Sequence, residues 1–329
     1  MMKAIVCRQY GGFENLAFES MPEPTPAAGS IRIRVESIGV NFPDALLVRG
    51  LYQAKPDTPF IPGIECAGIV DAVGENAAPF QVGQRVVAMS PEFGSYAEFV
   101  AVPASHAYPI PESLDINTAG ALLCAHGTAY HALKQRASLK AGETLLVTGA
   151  AGGTGLAAVQ LGHAFGARVI AVCSSAKKGQ TAKQHGADTV IDTSKEDLRD
   201  AIRHHTNGLG ADVIFDPVGG EMATTLSRSV AWNGRWLVIG FAAGGIPEVP
   251  LNLPLVKGYS IVGVFWGNFC AREPDLARAN HQSLFEMAAS GRISPHIHGI
   301  MPLADAARAL EMIEGREVHG KVLLKPSPD

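Results

Sequence analysis

A glycine-dense turn in the middle of the chain carries the clearest chemistry in the sequence. Residues 144–155 read TLLVTGAAGGTG, an apolar run leading into the turn, and residues 156–165 are rich in Ala and Leu. A turn of this kind between a strand and a helix lets backbone N–H groups approach a pyrophosphate closely, and the helix N-terminus adds partial positive charge. Ala150 takes the first position of the G-x-G-x-x-G pattern, so the match depends on the strand before it and the helix after it. The residues predicted to bind dinucleotide phosphates are Ala151, Gly152, Gly153, Thr154 and Gly155.

The end of the next predicted strand indicates which dinucleotide is bound. Residues 172–178 read VCSSAKK, and no acidic residue occurs in residues 168–187. An enzyme that prefers NAD places Asp or Glu there to bind the ribose 2′-hydroxyl, and such an acid would repel a 2′-phosphate. Ser174 and Ser175 can instead donate hydrogen bonds to that phosphate, and Lys178 supplies compensating charge. We therefore predict NADPH; the alternative is that the lysines merely solvate the start of a helix.

The order of the predicted elements indicates an α/β fold with two domains. Before residue 120, short strands such as 30–35 and 84–89 alternate with turns rich in Gly and Pro, which is typical of an irregular, mostly β domain. Beyond residue 122, strands and helices alternate. The predicted strands are 144–148, 168–172, 188–191, 211–215, 235–239 and 260–265, and the helices between them are 154–166, 177–186, 195–205 and 220–230. Six strands with crossover helices predict a doubly wound parallel sheet.

The domain boundaries follow from this change of pattern. Residues 122–266 are predicted to form the dinucleotide-binding domain, and residues 1–121 and 267–329 the catalytic domain. The tail contains a predicted helix at 274–290, a short strand, a helix at 303–313 and a final strand at 321–324, and we expect it to return to the first domain.

The composition excludes several classes of protein. The 27 basic and 31 acidic residues give a net charge of −4 with no basic cluster, which argues against a nucleic-acid partner. The most apolar stretch is interrupted by glycines, His163 and Arg168, so we expect no membrane span, and the N-terminus lacks the pattern of a signal peptide. The five cysteines are scattered without a C-x-x-C pair, which argues against a disulfide framework. These features favour a cytoplasmic protein.

Six segments of the sequence resemble, in combination and in order, the medium-chain dehydrogenase/reductase superfamily. The resemblance is specifically to its zinc-free quinone oxidoreductase branch (zeta-crystallin-like) and covers essentially the whole chain. The segments are 39–44 (GVNFPD), 50–52 (GLY), 62–68 (PGIECAG), 82–86 (VGQRV), the glycine turn and 216–220 (DPVGG). The resemblance implies a parallel-sheet NADPH domain, a GroES-like β domain, and an enzyme that transfers hydride from NADPH to a quinone.

The same comparison predicts that zinc is absent. Zinc alcohol dehydrogenases of the superfamily have Cys where Asn41 stands and His where Ile64 stands, and no Cys lies between Cys66 and Cys124, where they carry a four-cysteine lobe. Zinc requires three or four protein ligands of suitable geometry, and Glu65 alone is insufficient. We therefore expect neither a catalytic nor a structural zinc, and we interpret Glu65 as an ion-pair or hydrogen-bond partner inside the fold.

The resemblance also implies a set of residues around the cofactor. Asn41 and Thr128 correspond to positions near the nicotinamide, and Thr193 stands where relatives often have an aromatic residue stacked on adenine. Lys321 lies near the nucleotide in some relatives; the alternative is a surface charge on a strand. Further residues expected in the nicotinamide-side wall are Gly240, Phe241, Val264, Phe265 and Trp266.

Without a metal, the reaction requires an acceptor that takes up hydride readily, such as a quinone or an activated alkene. Tyr52 corresponds to a position where related enoyl reductases carry a tyrosine proposed to donate a proton; the alternative is an aromatic side chain that only lines the pocket. Asn41 could hydrogen-bond the acceptor or the nicotinamide ribose, or it could cap the loop before Pro43.

Two other functions and one assembly are also considered. The first is an NADPH-dependent enoyl or 2-alkenal reductase acting on α,β-unsaturated carbonyls, and the second is a non-catalytic NADPH-binding protein. Residues 260–266 (SIVGVFW) are apolar on both faces and would be an aggregation hazard as an open sheet edge. A homodimer joined through this strand is therefore predicted.

Overall fold

Two units, each with its own large β-sheet, make up residues 1–326, the part of the chain that the computed structural model describes. The first, called here the β unit, contains residues 1–124, 281–291 and 295–326. The second, the parallel-sheet unit, contains residues 125–280 and 292–294.

The strands and helices are numbered along the chain. The strands are β1 (Met2–Cys7), β2 (Leu16–Met21), β3 (Ser30–Val40), β4 (Glu65–Val73), β5 (Arg85–Met89), β6 (Phe99–Pro103), β7 (Ala107–Pro109), β8 (Thr144–Val147), β9 (Arg168–Cys173), β10 (Thr189–Asp192), β11 (Ala211–Asp216), β12 (Val230–Val238), β13 (Ser260–Gly263), β14 (Ile297–Pro302) and β15 (Lys321–Lys325). The helices are α1 (Phe42–Val48), α2 (Ile116–Tyr130), α3 (Gly153–Ala164), α4 (Ala176–Gln184), α5 (Leu198–His205), α6 (Ala223–Ser229), α7 (Asn252–Lys257), α8 (Trp266–Arg272), α9 (Pro274–Ala289) and α10 (Ala306–Glu314).

The parallel-sheet unit has six parallel strands in the order β10-β9-β8-β11-β12-β13. The strand order reverses beside β8, and the carboxyl ends of the strands at such a reversal are where an open α/β sheet binds its ligand. The strands β8, β9 and β11 are almost entirely buried, as a sheet covered by helices on both faces requires. The predicted doubly wound parallel sheet is confirmed.

The β unit is built around the 11-residue strand β3. One edge of β3 pairs antiparallel with β4, and the other edge pairs with β6 and then with β15. The sheet order is β14-β15-β3-β4-β5-β7, so the C-terminal strand lies beside β3 in the middle of the sheet. The expected return of the tail to the N-terminal β domain is therefore present. This pairing brings the start of β15 close to the end of β3, with Val322 opposite Val40.

The unit boundary after β13 differs from the predicted domain boundary. Residues 267–280, predicted to join the catalytic domain, belong to the parallel-sheet unit. The physical reason is local packing: the Phe269 ring stacks on His131 with 3.8 Å between centroids, and Asn280 Oδ1 accepts a hydrogen bond from Gln135 Nε2 at 3.0 Å. β13 also ends at Gly263, two residues before the predicted end, because α8 begins at Trp266.

Each unit encloses its own apolar core. That of the β unit is formed by strands β1, β3, β4 and β15 together with α10, and that of the other unit by the central parallel strands with α5 and α6. Within residues 1–326, none of the helices combines the length and the apolar character needed to cross a membrane.

Candidate active site

The glycine turn lies at the carboxyl end of β8, where the strand order reverses. Gly149 has a φ of +56°, and α3 begins at Gly153 with Gly152 as its N-cap. A Cβ atom on Gly155 would lie 2.2 Å from the carbonyl oxygen of Gly149, so any side chain at this position would push the turn and the helix apart. Because Gly152 has no side-chain oxygen, it offers no cap to the first-turn N–H groups. The turn therefore has the form of a phosphate cradle.

Asp216, at the end of β11, fixes the loop next to the glycine turn. Its Oδ1 accepts hydrogen bonds from Thr148 Oγ1 at 2.6 Å and from the N–H groups of Val218 and Gly219, both at 3.1 Å, while Oδ2 accepts one from Trp236 Nε1 at 3.3 Å. The buried carboxylate thus links the ends of β8, β11 and β12. Sequence reasoning used Asp216 only as a family marker; the signal available was an acidic residue ending an apolar strand.

Ser174, Ser175 and Lys178 come together at the end of β9. Ser175 is the N-cap of α4, and its Oγ accepts a hydrogen bond from the Lys178 N–H at 3.4 Å. The Lys178 ammonium reaches back and donates to Ser174 Oγ at 3.3 Å. The first turn of α4 therefore presents a hydroxyl and a cation side by side, the donor set that a phosphate monoester requires.

An acidic residue does lie near this place, on the neighbouring strand. Asp192 ends β10 opposite Cys173, and sequence reasoning, which followed β9 alone, missed it. Its Oδ1 accepts hydrogen bonds from the N–H and the hydroxyl of Ser194, at 3.1 and 2.6 Å, and Lys195 Nζ lies 3.8 Å from Oδ2. The hydrogen bonds from Ser194 lower the pKa of Asp192, and its charge is held by its own loop. The next residue, Thr193, is bonded to β9: its N–H and its Oγ1 both donate hydrogen bonds to the Cys173 carbonyl.

The other predicted cofactor residues of this unit differ in exposure. Phe265 is 57% exposed and Phe241 37%, so both rings face solvent at the sheet's carboxyl edge. Trp266, in contrast, is buried and packs against α2, where a Cβ on Gly127 would lie 2.7 Å from its ring. Thr128, the next residue on α2, is half-buried. The two other predicted residues, Gly240 and Val264, follow the ends of β12 and β13. The Val264 N–H donates a hydrogen bond to the Val238 carbonyl at 3.1 Å.

In the β unit, the structure brings together Asn41, Glu65 and Lys321. Asn41 follows the end of β3, Glu65 starts β4 and Lys321 starts β15, so the sheet pairing places all three at one end of the sheet. The Lys321 ammonium donates to Glu65 Oε1 and to Asn41 Oδ1, and Asn41 Nδ2 donates to Glu65 Oε1 at 2.8 Å. The second oxygen of Glu65 accepts the Cys124 N–H at 2.7 Å.

These contacts decide between three sequence interpretations. Glu65 is an ion-pair partner inside the fold, as predicted. Lys321 is buried, so the alternative of a surface charge on a strand is wrong. Asn41 is the N-cap of α1 and forms a capping box with Asp44, and its side chain also contacts the Gly39 carbonyl, Glu65 and Lys321.

Asp44 and Tyr96 extend this group, and sequence reasoning missed both. Asp44 Oδ2 accepts hydrogen bonds from the Asn41 N–H at 2.8 Å and from the Tyr96 hydroxyl at 3.0 Å. Burial raises the pKa of Asp44 to about 7, and burial beside Asp44 raises the pKa of Tyr96. The N-x-x-D spacing of a helix capping box was the available signal for Asp44. The five residues Asn41, Asp44, Glu65, Tyr96 and Lys321 are called the buried charge cluster below.

Tyr52, the predicted proton donor, lies in the loop after α1 and is half-buried. Desolvation is the main cause that raises the pKa of its phenol, and the charges of Cys124 and Asp44 add to it. Tyr52 is therefore protonated at neutral pH, as a proton donor must be, and the raised pKa makes it a weaker acid than a free tyrosine.

The donors at the position of the catalytic zinc in related dehydrogenases do not suit that metal. An amide and an aliphatic side chain, Asn41 and Ile64, stand beside Glu65, and the Glu65 charge is already paired with Lys321. Zinc requires several thiolate, imidazole or carboxylate ligands around one point. Throughout residues 1–326, no three His, Cys, Asp or Glu side chains are grouped to hold a metal ion.

Comparison with known proteins identifies the family. Residues 27–112 match the family described as "Alcohol dehydrogenase GroES-like domain", and residues 153–281 match "Zinc-binding dehydrogenase". The chain is 37% identical over 325 residues to the quinone oxidoreductase-like protein 2 homolog of Nematostella vectensis, covering 98% of this chain and 88% of that protein. The chain belongs to the quinone oxidoreductase branch of the medium-chain dehydrogenase/reductase superfamily. It is an oxidoreductase.

Solved structures of the same branch have the same fold. Quinone oxidoreductase of Escherichia coli, crystallised with NADPH, matches with a TM-score of 0.93 at 30% identity, covering 98% of this chain and 100% of that one. Quinone oxidoreductase of Pseudomonas syringae pv. Tomato matches with a TM-score of 0.93 at 32% identity, covering 99% and 100%. The predicted family and the predicted combination of a GroES-like domain with a parallel-sheet domain are therefore confirmed.

Proposed function

We propose that this oxidoreductase uses NADPH and reduces a quinone without zinc. The observation that carries the proposal is the buried pairing of Glu65 with Lys321 and Asn41. The Lys321 ammonium and the Asn41 amide both bind the Glu65 carboxylate, which would otherwise help to hold a metal ion. Without a Lewis acid to polarise its carbonyl, the acceptor must itself be electrophilic, which favours a quinone.

NADPH fits the residues at the carboxyl edge of the parallel sheet. The close approach of Gly155 to Gly149 leaves a cradle of backbone N–H groups for the pyrophosphate. Lys178 and Ser174 supply the charge and the hydrogen bond that the 2′-phosphate requires. The NADPH complex of the Escherichia coli neighbour supports the same choice.

When bound, NADPH supplies a hydride equivalent. The protein positions the cofactor and the acceptor, excludes water from the site and supplies a proton. Lys321 holds the Asn41 amide in one orientation, since it occupies the amide oxygen while the amide nitrogen donates to Glu65. The protonated phenol of Tyr52 delivers a proton to the oxygen or carbon of the reduced acceptor.

A second candidate is reduction of α,β-unsaturated carbonyls. The protonated Tyr52 favours it, because reducing a carbon–carbon double bond requires a proton at carbon, whereas a reduced quinone takes its protons readily from water.

A steady-state panel tests the proposal and separates the alternatives. Turnover of a benzoquinone, a 2-alkenal and an enoyl thioester is compared with NADPH and with NADH. We expect the highest kcat/KM for the benzoquinone with NADPH, and dialysis against a chelator should leave it unchanged. A preference for the alkenal or thioester would support the second candidate. NADPH binding without reduction of any acceptor would mean a non-catalytic binding protein.

We further propose that the protein is a cytoplasmic homodimer. None of the five cysteines forms a disulfide among the described residues, as expected in a reducing compartment. β13 is the last strand of the parallel sheet, and an open sheet edge is commonly closed by pairing with a twofold-related copy.

A further inference from the structure

The loop that carries Tyr52 lies mostly in solvent. It comprises residues 51–59, between Gly50, which follows α1, and Phe60. Every side chain in it is exposed except those of Tyr52 and Pro56, which are half-buried. A segment that buries so little of its surface is held by individual contacts rather than by a packed core. Its contacts with neighbouring residues therefore decide where Tyr52 lies.

Tyr10, which follows β1, contacts both ends of this loop. Gly50 has a φ of +71°, and a Cβ atom on it would lie 3.1 Å from Cγ of Tyr10, so the ring packs against the backbone where the loop begins. At the other end, the centroid of the Phe60 ring lies 5.7 Å from that of Tyr10. Phe60 also exchanges two backbone hydrogen bonds with Cys7 of β1, at 2.8 and 3.1 Å. The two ends of the loop are thus fixed on the same side chain.

The middle of the loop is held by the hydroxyl of Tyr10. This hydroxyl donates a hydrogen bond to the Pro56 carbonyl at 2.5 Å. Proline has no N–H, so the carbonyl is the one group through which Pro56 can form a hydrogen bond. In the part of the chain that the structure describes, no other hydrogen bond reaches residues 52–59. Loss of the Tyr10 hydroxyl would therefore free the segment that carries Tyr52 while leaving its ends in place.

We propose that Tyr10 positions Tyr52 for proton transfer by holding this loop at Pro56. The inference rests on the function proposed above, in which Tyr52 protonates the reduced acceptor. A general acid must remain within hydrogen-bond reach of the atom it protonates, and a displacement of about 1 Å can slow a reaction about 100-fold. Tyr10 is a positioning residue, since it acts through the loop and not on the acceptor.

One substitution separates this role from a purely structural one. Tyr10→Phe keeps the ring that packs against Gly50 and Phe60 and removes only the hydrogen bond to Pro56. The Tm should therefore remain close to that of the wild type. The control is Tyr259→Phe, which removes a buried hydroxyl bonded to Ser227 in the parallel-sheet unit.

Limited proteolysis tests the hold on the loop without any turnover. Chymotrypsin cleaves after aromatic and large aliphatic residues, and Leu51 and Tyr52 provide such sites in an exposed loop. In Tyr10→Phe, cleavage at these sites should be about fivefold faster than in the wild type, the size expected when a local opening loses one opposing hydrogen bond. Tyr259→Phe should be cleaved there at the wild-type rate. An unchanged rate in Tyr10→Phe would overturn the proposal.

A double-mutant cycle on kcat tests the positioning of Tyr52, with the acceptor whose reduction Tyr52→Phe slows most. Tyr10→Phe alone should lower kcat by about tenfold and leave the KM for NADPH unchanged. In a Tyr52→Phe background, the same substitution should change kcat by less than about twofold, because no phenolic proton remains to be positioned. A tenfold fall in both backgrounds, or a full kcat in Tyr10→Phe, would overturn the positioning role.

Failure of the proposed function gives a different result. A protein that binds NADPH but reduces no acceptor, or that keeps its full rate in Tyr52→Phe, would overturn the role of Tyr52 and with it the positioning role. Faster cleavage of Tyr10→Phe would in that case still show that Tyr10 holds the loop.

Discussion

We expect the choice between NADPH and NADH to depend on a single ammonium, that of Lys178 at the start of α4. Lys178→Ala removes the cation beside Ser174 but keeps the backbone N–H that bonds to the Ser175 cap. A charge-assisted hydrogen bond contributes about 1.5–3 kcal/mol, so we expect the KM for NADPH to rise at least tenfold while that for NADH changes less than twofold. Steady-state kinetics with both cofactors measure this. The control is Lys177→Ala, which changes the exposed neighbouring lysine. If Lys178→Ala raised the KM for NADPH and for NADH equally, the assignment of Lys178 to the 2′-phosphate would be refuted.

At Tyr52, one substitution distinguishes the role of the hydroxyl from that of the aromatic ring. Phenylalanine keeps the aromatic surface and removes the hydroxyl proton, which a tyrosine carries at neutral pH. For Tyr52→Phe we expect kcat with an enone to fall about 100-fold, the usual range for a lost general acid, with a smaller fall for a benzoquinone. Tyr259→Phe removes a hydroxyl bonded to Ser227 in the parallel-sheet unit and should leave both rates unchanged. Wild-type rates in Tyr52→Phe would mean that the ring only lines the pocket.

At the scale of elements, the parallel sheet could be predicted because its signals are local. The sequence predicts a strand at 168–172, and β9 ends at Cys173. It predicts a helix at 177–186, and α4 ends at Gln184. An apolar run followed by glycines or serines reports on one strand and its turn, whichever other strands lie beside it.

The buried charge cluster could not be predicted in this way. Lys321 and Glu65 are 256 positions apart, and nothing in the residues around Lys321 shows that β15 pairs with β3 beside β4. Three apolar residues follow Lys321, which is compatible with a charge at an exposed strand end as well as with one inside the fold. Burial of a charge is decided by its partner, and the partner is known only once the sheet has formed.

The glycine turn and the first turn of α3 are packed so closely that a side chain at Gly155 should disturb both. The methyl group of Gly155→Ala would meet a backbone oxygen, which cannot rotate away as a side chain would. Overpacking of this kind typically destabilises by about 1–3 kcal/mol, more than alanine gains over glycine in a helix. We expect a lower Tm and at least tenfold weaker NADPH binding by fluorescence titration. Gly299→Ala, with no heavy atom within 4 Å of the new Cβ, is the control; unchanged NADPH affinity in Gly155→Ala would contradict the close-packed cradle.

At the scale of the whole molecule, exposed apolar side chains gather around the last strand of the parallel sheet. Leu255 and Val256 on α7 are 80% and 65% exposed, and Ile261 on β13 is 40% exposed. Trp232, 70% exposed, lies beside Gly258, the residue that ends α7. Exposed apolar side chains next to an open strand edge are typical of a surface that another subunit covers.

A second copy of the chain is the partner that this edge favours, since β13 can pair with its own twofold mate and join two sheets into one. Light scattering should therefore give twice the mass of one chain for the wild type. Ile261→Lys places a charge on the shared edge and should yield a monomer at the same concentration. The matched control is Ile300→Lys on β14, also the last strand of its sheet and with an isoleucine of similar exposure, 45%, which should stay dimeric. A monomeric wild type, or equal dissociation by both variants, would mean that the β13 edge is not the contact between subunits.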